Sequence, residues 1–275
     1  MVTPPVREAS RQHLALLFIL ASSVPLSAQS PDLLQERRDF AAWLESAPDS
    51  PLAAIAQQPI GRELRIGPKD SDLPLPGVAE FRLAETNGRV TLEGPGGIRQ
   101  VPRWRPLRLG EYTLSAGGVA GRMVVTVFGR VGRPLAVAHY PEDRSLMFIG
   151  PLIPPESRGT VRLLGLDGIE VEATEAGSVV VPVGSRPTRL RVRRLPVGED
   201  EYDLEIFFRD STNAAGTYPA GRFVSLLPAG DGRYRLDFNR ARNPFCAYSS
   251  AFPCPAPWQG NELPAPVRAG ERYGR

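Results

Sequence analysis

The chain has 275 residues, 33 basic against 30 acidic, a formal net charge of +3 and a single lysine, Lys69. So even a balance argues against a nucleic-acid partner, which asks for a clustered basic surface. Of the two histidines, His13 and His139, only the second lies beyond the first 28 residues. That excludes multi-histidine zinc sites and leaves any Ser- or Cys-based triad one base.

Residues 1–28 read as a signal peptide. Arg7 and Arg11 form a basic start, Leu14 to Leu20 an apolar run, and Ser27-Ala28 a small-residue cleavage site. The run is shorter than the roughly 20 residues that span a bilayer. An exported chain follows, periplasmic or secreted, with no integral membrane span once the leader is cut. Residues 29–60 form an N-terminal helical segment. Ser30-Pro31 supplies an N-cap and first helical residue, and Leu33, Phe40 and Leu44 make a helical stripe beside Trp43. Ser50-Pro51-Leu52 predicts a second short helix through Gln58.

From Gly61 the pattern changes to short strands. Those predicted are Glu80–Ala84, Arg89–Glu93, Glu111–Ser115, Arg122–Phe128, Pro134–His139, Ser145–Ile149, Thr160–Leu164, Ile169–Thr174, Ser178–Val183, Thr188–Leu195, Tyr202–Phe208, Arg222–Leu227 and Arg233–Phe238. Asn87-Gly88 and Asp167-Gly168 predict two-residue hairpin turns, because these residues tolerate positive φ. A Pro-rich seam at 150–156 divides a first β unit, 61–150, from a second, 151–275. The expected fold is mainly β: an antiparallel sandwich, roll or barrel-like body, one or two short N-terminal helices, and an irregular Pro-rich C-terminal tail. That tail, 239–275, holds both cysteines and the aromatics Phe245, Tyr248, Phe252 and Trp258, so it reads as ordered and wrapped over the sheet.

The most unusual residues lie from Tyr202 onward. Leu204, Ile206 and Phe208 share one strand face, and the strand runs into Arg209-Asp210-Ser211-Thr212-Asn213. Tyr234, Leu236 and Phe238 are expected to face the core, with Arg235, Asp237 and Asn239 opposite. Two readings follow. In the first, Asp210, Thr212, Tyr218, Arg222, Asp237, Asn239 and Asn243 order the tail by hydrogen bonds in a binding or structural module of the cell envelope. In the second, a hydrolase uses Asp210 and Asp237, with Glu271, as an acid-base pair, and Arg209 or Arg222 grips an anionic group. Asn261 belongs to the same candidate binding set. A small polar ligand or an envelope partner fits either reading; no cofactor or metal is expected.

Phe208-Arg209-Asp210-Ser211-Thr212, Thr217-Tyr218 with Gly221-Arg222, Leu236-Asp237-Phe238-Asn239, Asn243-Pro244 with Cys246-Ala247-Tyr248, Cys254-Pro255, Asn261 with Leu263-Pro264, and Ala269-Gly270-Glu271 follow one another in order. Over about residues 203–272 this series resembles the bacterial domain-of-unknown-function 1684 family. The resemblance implies a shared architecture and no assigned activity. Three departures stand out. Gly216 replaces a usual Glu, Arg242 a usual aromatic, and Trp258-Gln259-Gly260 a Pro/Glu-rich lead-in. Cys246 and Cys254 are predicted to form a disulfide, given an oxidising compartment and an even count.

Overall fold

Ser30 and Pro31 begin α1 (Pro31–Ser46) in the structure, a computed structural model that describes residues 30–132 and 135–274. The leader expected at 1–28 lies outside the described residues. Ser30 does not cap the helix with its side chain. Its Oγ instead donates to Glu142 Oε1 at 3.0 Å, and its backbone N–H also donates to that carboxylate. Leu33 and Leu44 are the buried edge of α1, and Phe40 stacks on Trp43 at 5.6 Å.

The predicted second helix is corrected. Pro51–Ala53 is one 3-10 turn, and β1 (Ala54–Pro59) follows as an edge strand. Local preference for helix in an Ala/Gln-rich run yields here to backbone pairing along a whole neighbouring strand, and Pro59 ends the strand where no donor is needed.

The first half continues through β2 (Glu63–Gly67), β3 (Leu73–Pro74), β4 (Phe81–Thr86), β5 (Arg89–Gly94), β6 (Gly97–Val101), β7 (Leu107–Leu109), β8 (Tyr112–Val119) and β9 (Arg122–Phe128). These make a four-stranded sheet, β1-β9-β8-β7, and a five-stranded sheet, β3-β2-β4-β5-β6, antiparallel except for the β2–β3 pair. Leu64, Ile66, Leu83 and Leu92 of one sheet pack against Leu114, Val125 and Val127 of the other. Asn87 and Gly88 both take positive φ, 52° and 77°, as the predicted tight turn requires.

The second half holds β10 (Met147–Pro151), β11 (Thr160–Leu164), β12 (Glu170–Val181), β13 (Thr188–Pro196), β14 (Tyr202–Phe208), β15 (Arg222–Gly230) and β16 (Arg233–Asp237). They form one antiparallel sheet in the order β10-β16-β15-β14-β13-β12-β11. Among the described residues the three sheets are open and none closes into a barrel. β10 pairs with β16, so residues 147–151, which run into the Pro-rich seam, are built into this sheet.

Several local expectations change. The two strands predicted over 169–183 are one bulged strand, with the register shifting between Glu175 and Gly177. Residues 135–138 are not a strand; only His139 makes an isolated bridge, to Glu271. Residues 144–146 form a 3-10 turn capped by Asp143, and 238–240 another capped by Asp237. Asp167-Gly168 sits in a three-residue loop, 166–168, closed by Gly165 N–H donating to Ile169 O at 2.9 Å. Among the described residues no helix is long and apolar enough to cross a membrane.

The tail is ordered, as expected. Leu263, Val267 and Ala269 join the core on the Ile206–Phe208 face of the seven-stranded sheet, while Trp258 packs on Phe207 and Phe223 on the other face.

Candidate functional site

Asp210 and Arg222 meet where β14 ends and β15 begins. Arg222 NH2 donates to Asp210 Oδ2 at 2.8 Å, and both side chains are fully buried. The same guanidinium donates to the carbonyls of Val267 (2.8 Å), Ala269 and Glu271 (3.4 Å). Asp210 Oδ1 accepts from the Thr212 N–H at 2.7 Å, from the Thr212 hydroxyl and from the Val267 N–H at 3.3 Å. A charge pair taken out of water needs such additional bonds to hold its place. Gly221 must be glycine, since it has φ of 114° and a Cβ there would stand 2.6 Å from Phe208 O.

Asp237 serves the next turn. Its Oδ1 accepts from Asn239 N (3.0 Å) and Nδ2 (2.9 Å), and its Oδ2 accepts from Arg240. Asn239 in turn receives the Asp143 N–H at 2.8 Å and donates to Asp143 O at 2.9 Å. Arg240 also grips Glu36 of α1 through Nε (2.7 Å) and NH2 (2.9 Å). Asp210 and Asp237 therefore belong to separate buried knots, and neither faces an open cleft with Arg222. Their carboxylates do not converge on a shared cleft, the arrangement an acid-base pair would use.

The other candidates divide in the same way. Asn261 clamps the tail to the sheet, donating to Arg191 O (3.0 Å) and Phe207 O (3.1 Å) and accepting from the Arg191 N–H (2.7 Å). Arg209 holds the tail through its backbone and leaves its side chain exposed. Tyr218 Oη lies 3.3 Å from Cys246 Sγ and 3.2 Å from Cys254 Sγ. The two cysteines stand at disulfide distance, with Cα atoms 5.5 Å apart. Asn239 and Glu271 line a cavity, and Asn243 stands behind it as a partner of Glu271. Gly270 (φ 73°) brings the chain so close to Ala241 O that a Cβ would approach to 2.5 Å. That contact sets Glu271, whose N–H donates to Ala241 O at 2.8 Å. Glu271 Oε2 accepts the Asn243 N–H (2.9 Å) and the Tyr248 hydroxyl.

The cavity itself lies between α1, β15 and the tail, and encloses about 290 Å³. Leu33, Phe40 and Leu227 give it apolar walls; Arg37, Arg240, Arg242, His139 and Glu271 give it charge and titratable groups. Arg242 NH2 donates to Glu205 Oε1 (2.6 Å) and Ser225 Oγ (3.2 Å). Burial pushes the Glu271 carboxyl up to about 7, against the bonds from Tyr248 and Asn243 and the charges of Arg242 and Arg222. Burial, aided by Arg37, pulls His139 down to about 4. At neutral pH the imidazole is therefore uncharged and the carboxyl is near its midpoint, a combination typical of sites that handle protons or ligands. Among the described residues no group of three or more His, Cys, Asp and Glu side chains forms a metal cage.

Of the candidate residues visible in the sequence, Asn239 and Glu271 line this cavity; Glu36, Arg37, Arg240 and the wall of α1 carried no such mark. No local signal marks them: Arg240 meets Glu36 across 204 residues of chain. Two departures from the family pattern also find their place. Arg242 lines the cavity, and Gly216 (φ 124°) leaves its Cβ position to the Tyr140 hydroxyl, 2.5 Å away.

The family model for "Protein of unknown function (DUF1684)" matches residues 135–272, which contain β10 to β16 and the tail side of the cavity. The solution structure of an uncharacterized protein of Haloarcula marismortui is 30% identical to the chain. The match covers 50% of this chain and 75% of that one, with a TM-score of 0.43. No curated protein matches.

Proposed function

We propose, for a chain that belongs to the DUF1684 family, that it is an exported binding module of the cell envelope. Its buried ion pairs are scaffold, and its cavity beneath α1 captures a small polar ligand. One observation carries this reading. The apolar-walled cavity beneath α1 gathers Arg37, Arg242, Glu271 and the imidazole of His139, whereas Asp210 and Arg222 bond to one another and to the tail. A concave, largely apolar pocket with a few convergent polar groups is the usual form of a small-molecule site.

Thermal-shift titration tests it with a panel of small organic anions and neutral sugars, run on the parent chain and on Arg242→Met. The expected result is stabilisation by at least one anion that the variant loses. Silence across the panel, or an equal shift in the variant, overturns the reading. Export is tested by N-terminal sequencing of the protein from the envelope fraction. A start close after Ala28 is expected; an intact Met1 overturns it.

A further inference from the structure

Arg240 and Arg242 both line the cavity, but their donors are used differently. Arg240 closes a fork on Glu36 and also holds Asp237. Arg242 engages only NH2, with Glu205 and Ser225, and among the described residues its Nε and NH1 donate to no protein acceptor. A guanidinium with two open donors at an apolar-walled cavity suits a planar oxyanion. The same cavity is lined by a buried carboxyl, Glu271, that feels the charge of Arg242; it repels an anion when ionised and donates to one when protonated.

We infer that the cavity holds a small organic monocarboxylate, its apolar body against Leu33, Phe40 and Leu227, its carboxylate bridged between Arg242 and a proton on Glu271. The inference rests on the pocket reading above and adds a ligand class and a proton. Binding then takes up a proton wherever Glu271 is ionised in the free protein.

The groups facing Glu271 leave it the titrating partner. From the tail, Tyr248 is pushed well above its ordinary value by burial and by Glu271 itself, so it stays neutral. From the bridge opposite, His139 is uncharged above about 4. From α1, Arg37 stays cationic and Glu36 is held by Arg240. From β14, the Glu205 carboxyl is raised by burial and opposed by Arg242. It is the competing explanation, and the test must separate it from Glu271.

Calorimetric titration with benzoate at about pH 6 and about pH 8 does so. Affinity is expected to be roughly tenfold weaker at the higher pH, with proton uptake visible as a heat that depends on the buffer. Glu271→Gln keeps acceptors for Asn243 and Tyr248 and is expected to bind equally at both. Benzamide, which lacks the charge, is expected to bind poorly. A pH dependence that survives in Glu271→Gln, or benzoate binding without proton uptake in the parent chain, overturns the inference and leaves the pocket reading standing. Absence of benzoate binding at either pH overturns the ligand class. Unchanged benzoate binding in Arg242→Met overturns both readings.

Discussion

Between β2 and β9 the buried polar side chains are Ser71, Thr113 and Thr126; from β13 to the end of the tail they include Arg193, Glu205, Asp210, Thr212, Thr217, Arg222, Asp237, Asn239, Asn243, Asn261 and Glu271. The first half is held by alternation: two sheets turn apolar faces to one another, and backbone pairing settles the remaining polar groups. The second half has a long stretch with no strands of its own, and it fixes that stretch by side chains that reach into its backbone. A segment without a ladder must find partners for every buried N–H and C=O. Here Asp210, Arg222 and Glu271 are those partners, and Asn239 and Asn261 reach out from the tail to the carbonyls of Asp143 and Phe207. Polar residues in series at strand exits thus mark the attachment points of a tail, and catalytic groups need not be among them.

This contrast can be broken most forcefully at Arg222. Arg222→Met strands the Asp210 carboxylate in the interior and unsatisfies tail carbonyls, so a loss of about 3–5 kcal/mol is expected in urea denaturation. Leu114→Ala in the apolar core is expected to cost a similar amount. Only the Arg222 variant should expose the tail early to protease in native buffer. If both variants unfold as one unit with the same protease pattern, the two halves are not held differently. Next in size is the cysteine pair. Reduction, or Cys246→Ala, is expected to remove about 2.5 kcal/mol by the loop-closure argument. Unchanged stability on adding reductant would show that no bond closes this loop.

The smallest effect is a tilt in stability with pH. Glu271 is raised from 4.5 to about 7, so its favourable contribution is complete below 4.5 and is lost as pH rises through about 7. His139 is lowered from 6.5 to about 4, so its contribution is complete above 6.5 and is lost as pH falls through about 4. Between 4.5 and 6.5 the two slopes oppose one another. Relative to the parent chain, Glu271→Gln is expected to make stability rise more steeply with pH in that window, and His139→Asn to make it fall. Urea midpoints across the window measure both. Parallel curves for all three proteins would separate these groups from the fold's pH response.

The contrast between the halves also explains what could be read from the sequence. Strands such as Arg122–Phe128 and Tyr202–Phe208 alternate or run apolar over a useful length, so their existence and nearly their bounds were legible. β3 and β7 are too short to show a period, and β6 is exposed at all but Val101, so no pattern announces them. β1 has the composition of a helix, and only its pairing with β9 makes it a strand. In the tail the motif residues were visible as a group, but not their division into knots. Asp210 and Asp237 read as a pair because both precede turns, and the chain distributes them to different partners. The cavity was least legible of all, since α1 supplies one wall and residues some 200 positions later the other.

The carbonyls that receive the Arg222 guanidinium, on Val267, Ala269 and Glu271, are close together near the end of the tail. During synthesis Asp210 and Arg222 leave the ribosome well before these acceptors exist. Any chain cut short of residue 267 keeps the buried cation and loses its cage. Without those carbonyls the Arg222–Asp210 pair remains, but NH1 of the guanidinium is left in the interior with no acceptor.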